Sequence, residues 1–280
     1  MTLHYKRPDF TTVMLVLGLL FLYLPMGVLV VYSFNESQLV TVWSRFSPKW
    51  YGELFADRQI LSAVWTSLRI AFLAASMAVC LGTVAAFVMT RFGTFRGKTA
   101  LSSMVTAPLV MPEVITGLSL LLLFVQMAQL IGWPTDRGMA TIWIAHTTFC
   151  SAYVAVVVAA RLREIDRSIE EAAMDLGSPP LRTFFTVTLP VISPALAAGW
   201  LLAFTLSLDD LVIASFVSGP GANTLPMVVF SSVRMGVSPK INALATLIIL
   251  VVAVATLIAW FLMHRKEKKR RLALQEAESQ

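Results

Sequence analysis

Charge is what this chain has least of. Of its 280 residues 14% are Asp, Glu, Lys or Arg, where a soluble domain carries about a quarter. Cysteine is nearly absent: Cys80 and Cys150 fall in apolar stretches without metal-ligand spacing, which excludes a disulfide or metal framework and makes them small core residues. Histidine is as scarce. His146, between Ala145 and Thr147-Thr148 in an apolar stretch, reads as a neutral, hydrogen-bonded residue rather than a proton relay. No nucleophile–base–acid set is present, so the sequence predicts a non-catalytic chain. Gly93-Thr94-Phe95-Arg96-Gly97-Lys98-Thr99 has one residue too few between its glycines for a phosphate-binding loop, and it follows an apolar span rather than a strand.

What is abundant is apolar sequence, 57% of the chain. A membrane helix needs about 20 mostly apolar residues, and six stretches qualify: 12–33, 63–89, 100–131, 139–160, 191–217 and 241–263. The first reads as a retained helix, because it is too long for a signal-peptide core and Tyr32-Ser33-Phe34-Asn35 is a poor cleavage site. The expected fold class is therefore an all-α integral membrane protein with six transmembrane helices. With both termini inside, segments 1–11, 90–99, 161–190 and 264–280 hold 15 of the 22 basic residues, six of them between Arg265 and Arg271. The net charge of +6 is thus a topology signal that needs no nucleic-acid partner, and the basic tail 264–280 is expected to meet anionic head groups of the bilayer.

The outer segment from Ser33 to Ser62 carries Trp43, Trp50 and Tyr51 around Ser47-Pro48. Either these aromatics form a head-group belt, or some of them line an outer gate or dock an external protein. A second outer segment gives Asn223-Thr224-Leu225-Pro226, a start for a short interfacial helix near 225–235.

The inner stretch 161–190 is the most structured of the polar connections. Ser168-Ile169-Glu170-Glu171 reads as a capping box, with both acids at the positive end of a helix. Ala172, Ala173 and Met174 favour the helix, and Gly177 supplies a left-handed stop. Ser178-Pro179 starts a second helix, and Leu189-Pro190 hands the chain to the fifth span. Anionic lipid would repel the acids Glu164, Asp166, Glu170, Glu171 and Asp175, whereas paired alanines admit another backbone closely, so this hairpin is expected to dock a protein.

Glu171-Ala172-Ala173, three residues, Gly177, nine residues, Val187, one residue, Leu189-Pro190 resembles the EAA signature of permease subunits in bacterial ABC importers, with Val187 in place of the usual isoleucine. The resemblance implies the type I importer permease fold, with domains at 1–11 (cytoplasmic N-terminus), 12–263 (six-helix membrane domain with the EAA loop at 161–190) and 264–280 (cytoplasmic tail). It implies that Glu171, Ala172, Ala173 and Gly177, with Leu189 and Pro190 behind them, form the coupling helix that sits in a groove of a separate ATPase. ATP and Mg would bind that partner, which leaves no cofactor in this chain.

Asp209-Asp210 lies within the fifth span, roughly 27 Å from Val191 at about 1.5 Å per residue. An acid at a helix centre costs about 2.5–3.5 kcal/mol, so the pair must face water, a basic partner or a bound cation. Glu113, behind Pro112 in the third span, lies nearer mid-membrane, where Pro108 and Pro112 loosen the helix. Asp209, Asp210 and Glu113 are the expected lining of a pathway for a cationic substrate; the rival for the aspartates is an ion pair with Arg69 or Arg234. The stretches 107–117 and 205–234 are similar to polyamine importer permeases, most of all to the second membrane subunit of putrescine systems. This implies a heterodimer with a second permease, two copies of one ATPase, a periplasmic polyamine-binding protein, and residence in the bacterial inner membrane. A permease for spermidine or another cationic amine is the alternative. An ion-coupled secondary transporter with Asp209 or Glu113 as proton carrier is the rival from another class.

Overall fold

A computed structural model describes residues 10–39, 42–236 and 238–278, with no side-chain detail at 262, 263 or beyond Arg265. Lys6, Arg7 and the basic side chains after Arg265 therefore lie outside the described residues. Among the described residues the chain is helical, with an isolated antiparallel bridge between Asn35 and Phe46. Helical segments long and apolar enough to cross a membrane are Phe10–Tyr32, Arg58–Arg91, Glu113–Ile131, Met139–Glu164, Pro180–Asp209 and Pro239–Phe261.

The chain divides into two compact units. One, Met1–Arg58 with Ser231–Gln280, holds α1 (Phe10–Tyr32), α2 (Lys49–Ala56) and α12 (Pro239–Glu278), with α12 packed on both α1 and α2. Its small core is α2 with the segment that precedes it. Trp50 and Leu54 of α2 are buried, the Trp50 indole donates to the Asn35 carbonyl at 2.6 Å, and Lys240 lies 3.7 Å from Glu53 and 3.4 Å from Asp57.

The other unit, Gln59–Phe230, contains α3 (Arg58–Arg91, from its second residue), α4 (Lys98–Val110), α5 (Glu113–Ile131), α6 (Met139–Glu164), α7 (Ser168–Asp175), α8 (Pro180–Thr183), a π turn (Phe184–Thr188), α9 (Leu189–Asp209) and α10 (Val212–Val217). The buried middle is α6, whose Ile142, Ala145, Phe149, Val154, Val158 and Leu162 belong to one apolar cluster with residues of α3, α9 and α10. Close approach is set by small residues, as expected where lipid supplies no hydrophobic drive between helices. Ala71, Ala74, Ala75 and Ala78 make the buried stripe of α3, and a β-carbon at Gly82 would fall 2.8 Å from Val154 Cβ. The helix expected near 225–235 is α11, Leu225–Met235, whose first N–H donates to Ser67 Oγ at 2.7 Å.

Three sequence expectations need correction. The third span is not one helix over 100–131. It breaks at Met111-Pro112, both extended, because Pro112 has no N–H to give and forces its predecessor out of helical geometry, so α5 starts afresh at Glu113. The fifth span does not run to 217. It stops at Asp209, Asp210 is extended, and α10 is a separate short helix. The capping box at Ser168 does not form: Asp166 instead accepts the Ser168 N–H at 3.0 Å, and Arg167 occupies the cap position.

Candidate functional site

Two regions of the larger unit carry the chemistry. The first is the hairpin after α6. Asp166 closes a turn onto Ser168, and hydrogen bonds from the Ser168 N–H and hydroxyl hold its carboxyl below the ordinary carboxylate range. About two turns of α7 follow, and the chain then stops at Gly177, whose φ of +89° is the left-handed stop that a side chain resists. The Ser178 N–H reaches back to the Ala173 carbonyl at 3.1 Å. Pro179 is extended and Pro180 opens α8, after which the chain stays helical into α9. The π turn Phe184–Thr188 ends two residues before Pro190. It has a reason: Pro190 can donate nothing backward and its ring crowds the carbonyl four residues earlier, so the ladder widens and Leu189 N–H bonds Phe184 O instead.

On this hairpin Glu171, Ala172 and Gly177 are exposed, Ala173 is half-buried, and Leu189 and Pro190 begin α9. The neighbouring Glu170 points the other way. Its carboxylate pairs with Arg91 Nε at 2.9 Å and accepts from Thr188 Oγ1 at 2.9 Å, and both ionic side chains are nearly buried. Arg91 Nη2 also reaches Ile165 O at 3.4 Å, and Arg167 Nη2 donates to Thr90 O at 2.7 Å. A cavity of about 400 Å³ lies beneath, lined by Phe87, Arg91, Glu170, Met174, Phe184 and Thr188 among others.

The second region is where two helix breaks meet. α10 packs against the start of α5, where a β-carbon on Gly117 would strike the Phe216 ring at 2.8 Å. Glu113, in the first turn of α5, lies within electrostatic reach of both Asp210 and Asp209. The three acids expected to line a pathway are thus brought together, yet they differ. Glu113 and Asp209 are exposed, whereas Asp210 is buried. The Asp210 carboxylate accepts the Ala214 N–H at 2.8 Å and so caps α10. It also stands 3.3 Å from Nε2 of buried His146, out of line for a hydrogen bond, while His146 Nδ1 shares a 2.7 Å bond with Ser207 Oγ. The partner of Asp210 is therefore His146 on α6. That residue was legible only as a hydrogen-bonded histidine. Glu113 sits in the first turn of α5, and Asp210, just ahead of α10, turns its carboxylate onto the Ala214 N–H, so both complement a positive helix end; discontinuous helices of this kind frame ion and substrate sites in transporters.

In the smaller unit, Tyr51 shares a 2.8 Å hydrogen bond with Ser33 Oγ and its ring leans on Phe34 at 5.2 Å, Trp50 is buried, and only Trp43 of the aromatic trio is exposed, edge-on to Tyr32. Glu36 and Arg45 form an exposed ion pair that lowers the glutamate's pKa and raises the arginine's. Sequence reasoning missed Glu170, Arg91, Thr188 and Ser207 as parts of the site. Arg91 had counted only as an inside charge and Glu170 only as a helix-start acid.

The hairpin thus leads into one end of α9, and the other end of α9 breaks beside the start of α5. Residues 78–272 match the model of the binding-protein-dependent transport system inner membrane component, so the chain belongs to that family: it is a multi-pass permease subunit of a binding-protein-dependent ABC importer. Among individual relatives, the putrescine transport system permease protein PotI of Escherichia coli K12 is 66% identical over 271 residues, 97% of this chain and 96% of that one. The spermidine/putrescine transport system permease protein PotC of the same organism is 39% identical over 249 residues, covering 89% and 91%. A chain of a bacterial ABC transporter involved in import of the acidic polysaccharide alginate superposes with a TM-score of 0.70 at 17% identity, covering 92% of this chain and 98% of that one. At that identity the likeness speaks for the fold alone. A second alginate transporter structure, in complex with its pentasaccharide-bound periplasmic protein, has a TM-score of 0.68 at 16% identity over 86% and 88%.

Proposed function

We propose that the chain carries putrescine across the bacterial inner membrane, with both termini cytoplasmic. It contributes no catalysis and holds no cofactor, since ATP and Mg bind a separate ATPase present in two copies. A second, different permease completes the cavity, and a periplasmic polyamine-binding protein delivers the cargo. The observation that carries this reading is the 66% identity to the putrescine permease over 97% of the chain. The exposed carboxyls of Glu113 and Asp209 beside capped Asp210 support it chemically, because a cluster of acids favours a cationic amine and repels phosphate or sulfate.

ATP binding would close the ATPase dimer and move α7, with its Glu171–Gly177 stretch, along with it. α9 would follow, and the half-helices at the acids would reorient the cavity. The acids should hold the dication loosely, because tight binding would stall release.

Uptake of labelled putrescine by a strain lacking this chain, complemented with it, tests the cargo. Restored uptake that unlabelled putrescine competes better than spermidine supports the reading, and preferential competition by spermidine overturns it. Ala172→Glu separates the machine from its rival. Loss of uptake with intact membrane insertion marks ATPase coupling, whereas uptake that survives this change and collapses with a protonophore would mark a secondary transporter.

A further inference from the structure

The hairpin presents one face to its motor and must pass the load on through another. We infer that Glu170, not assigned to coupling by its neighbours in the motif, is the positioning residue that transmits it, through a buried three-way clamp with Arg91 and Thr188. Each partner belongs to a different element. Arg91 is the last residue of α3, Glu170 sits in the first turn of α7, and Thr188 closes the π turn that feeds α9. Both carboxylate oxygens are used: Arg91 Nε lies 2.9 Å from Oε2 and 3.1 Å from Oε1, and Thr188 Oγ1 donates to Oε1 at 2.9 Å. Arg91 extends the clamp to the C-cap of α6 by donating to Ile165 O at 3.4 Å. Thr188 is buried, and the Arg91 and Glu170 side chains are 8% and 13% exposed, so water does not compete for the bonds as it does at a surface pair.

The geometry asks for such a device. α7 is only eight residues long, is held to α6 by a short turn, and has no buried residue of its own. A helix that short has little intrinsic stability. Its backbone leads through α8 and the π turn to α9 but gives it no hold on α3. The clamp ties it at one point to α3 and α9, which flank α6 in the buried core, so displacement of α7 must drag both. The Arg167 bond to Thr90 O, one residue before Arg91, fixes the same junction from the other side.

The test uses the complete importer, with partner permease, ATPase and binding protein, in proteoliposomes, and it rests on the reading proposed above. Hydrolysis is measured with and without loaded binding protein, and uptake is measured alongside. Glu170→Gln keeps the size and the Thr188 bond but removes the charge pairing. It is expected to assemble, to cut the stimulation of hydrolysis by loaded binding protein at least about fivefold, the lower end of an allosteric coupling, and to lower uptake per ATP. The apparent affinity for the binding protein should not change. Thr188→Val, which removes the third leg without touching charge, should act in the same direction more weakly. Arg91→Lys should restore less than wild-type stimulation but more than Arg91→Gln. Wild-type stimulation in Glu170→Gln overturns the inference. So does a loss that merely tracks the amount of assembled complex in both Glu170→Gln and Thr188→Val, which would make the clamp a folding element. If the unaltered complex shows no response to loaded binding protein, the importer reading itself fails, and the two failures are distinct.

Discussion

Val154 of α6 is met by glycines from two directions, and the two sites differ enough to predict opposite outcomes. A β-carbon at Gly82 of α3 would lie 2.8 Å from both Val154 Cβ and Cγ1 and 2.9 Å from the Ser151 carbonyl oxygen. A β-carbon at Gly199 of α9 would lie 3.4 Å from Val154 Cγ1 and 3.8 Å from Cγ2. At Gly82 the obstacles include a backbone oxygen and a Cβ, neither of which can turn aside, so the helices themselves must separate. Overpacking of that kind costs about 1–3 kcal/mol, and in a unit of this size about 2–4 °C of Tm accompanies each kcal/mol. Gly82→Ala should therefore unfold several degrees earlier than wild type in detergent, followed by fluorescence-detected gel filtration after heating. Gly199 is also buried but has room for a methyl at ordinary contact distance, so Gly199→Ala should not lower the Tm, and the helix preference for alanine over glycine favours a slight rise. Adding Val154→Ala to Gly82→Ala removes Cγ1 but neither Cβ nor the Ser151 oxygen, so rescue should be partial. Equal Tm values for the two glycine variants would refute the packing argument, since it rests on that difference of distances alone.

Asp210→Ala should lower expression and Tm, because it strands the buried Ala214 N–H at about 1–3 kcal/mol and removes the acid beside His146 Nε2, while Asp209→Ala leaves Tm unchanged. Asp209→Asn and Glu113→Gln should fold normally and lose uptake, and unchanged uptake in both would sink the acidic pathway. Gly177→Ala forces a β-carbon into the left-handed region at about 1–2 kcal/mol, which should appear as faster amide exchange across 168–177. The Asp166 carboxyl is depressed by the Ser168 hydrogen bonds, so its contribution to the turn is complete above the unfolded pKa and is lost as pH falls through the folded one. Protection of the Ser168 amide should hold at neutral pH and disappear in acid. Asp166→Ala should lack it at neutral pH as well.

The six spans and the α7 hairpin were legible because their signals are local. Hydropathy needs only a run of residues, and a left-handed stop needs only a glycine at the right place, as Gly177 shows. The helix breaks were half legible. Pro112 announced a loosened helix, but the separate start at Glu113 depends on two consecutive extended residues. Asp210 gave no local sign of ending α9, because its carboxylate turns onto Ala214 and its other neighbour, His146, comes from α6. The capping box failed for a related reason: Asp166 offered a carboxylate to the same helix start two residues earlier. The clamp was out of reach altogether, since Arg91 and Glu170 are 79 positions apart and nothing in either neighbourhood specifies the other.

The π turn before Pro190 also sets a phase. Such a turn holds an extra residue relative to the α-helix it interrupts, and each residue rotates an α-helix by about 100°. The compass bearing of the Ala172-Ala173 face about the axis of α9 is therefore fixed by a single surplus position between Phe184 and Thr188. Deleting one residue there would leave composition, capping and hydropathy almost untouched, yet it would swing the hairpin by more than a quarter of a circle. The direction in which the α7 hairpin faces is an arithmetic property of that turn.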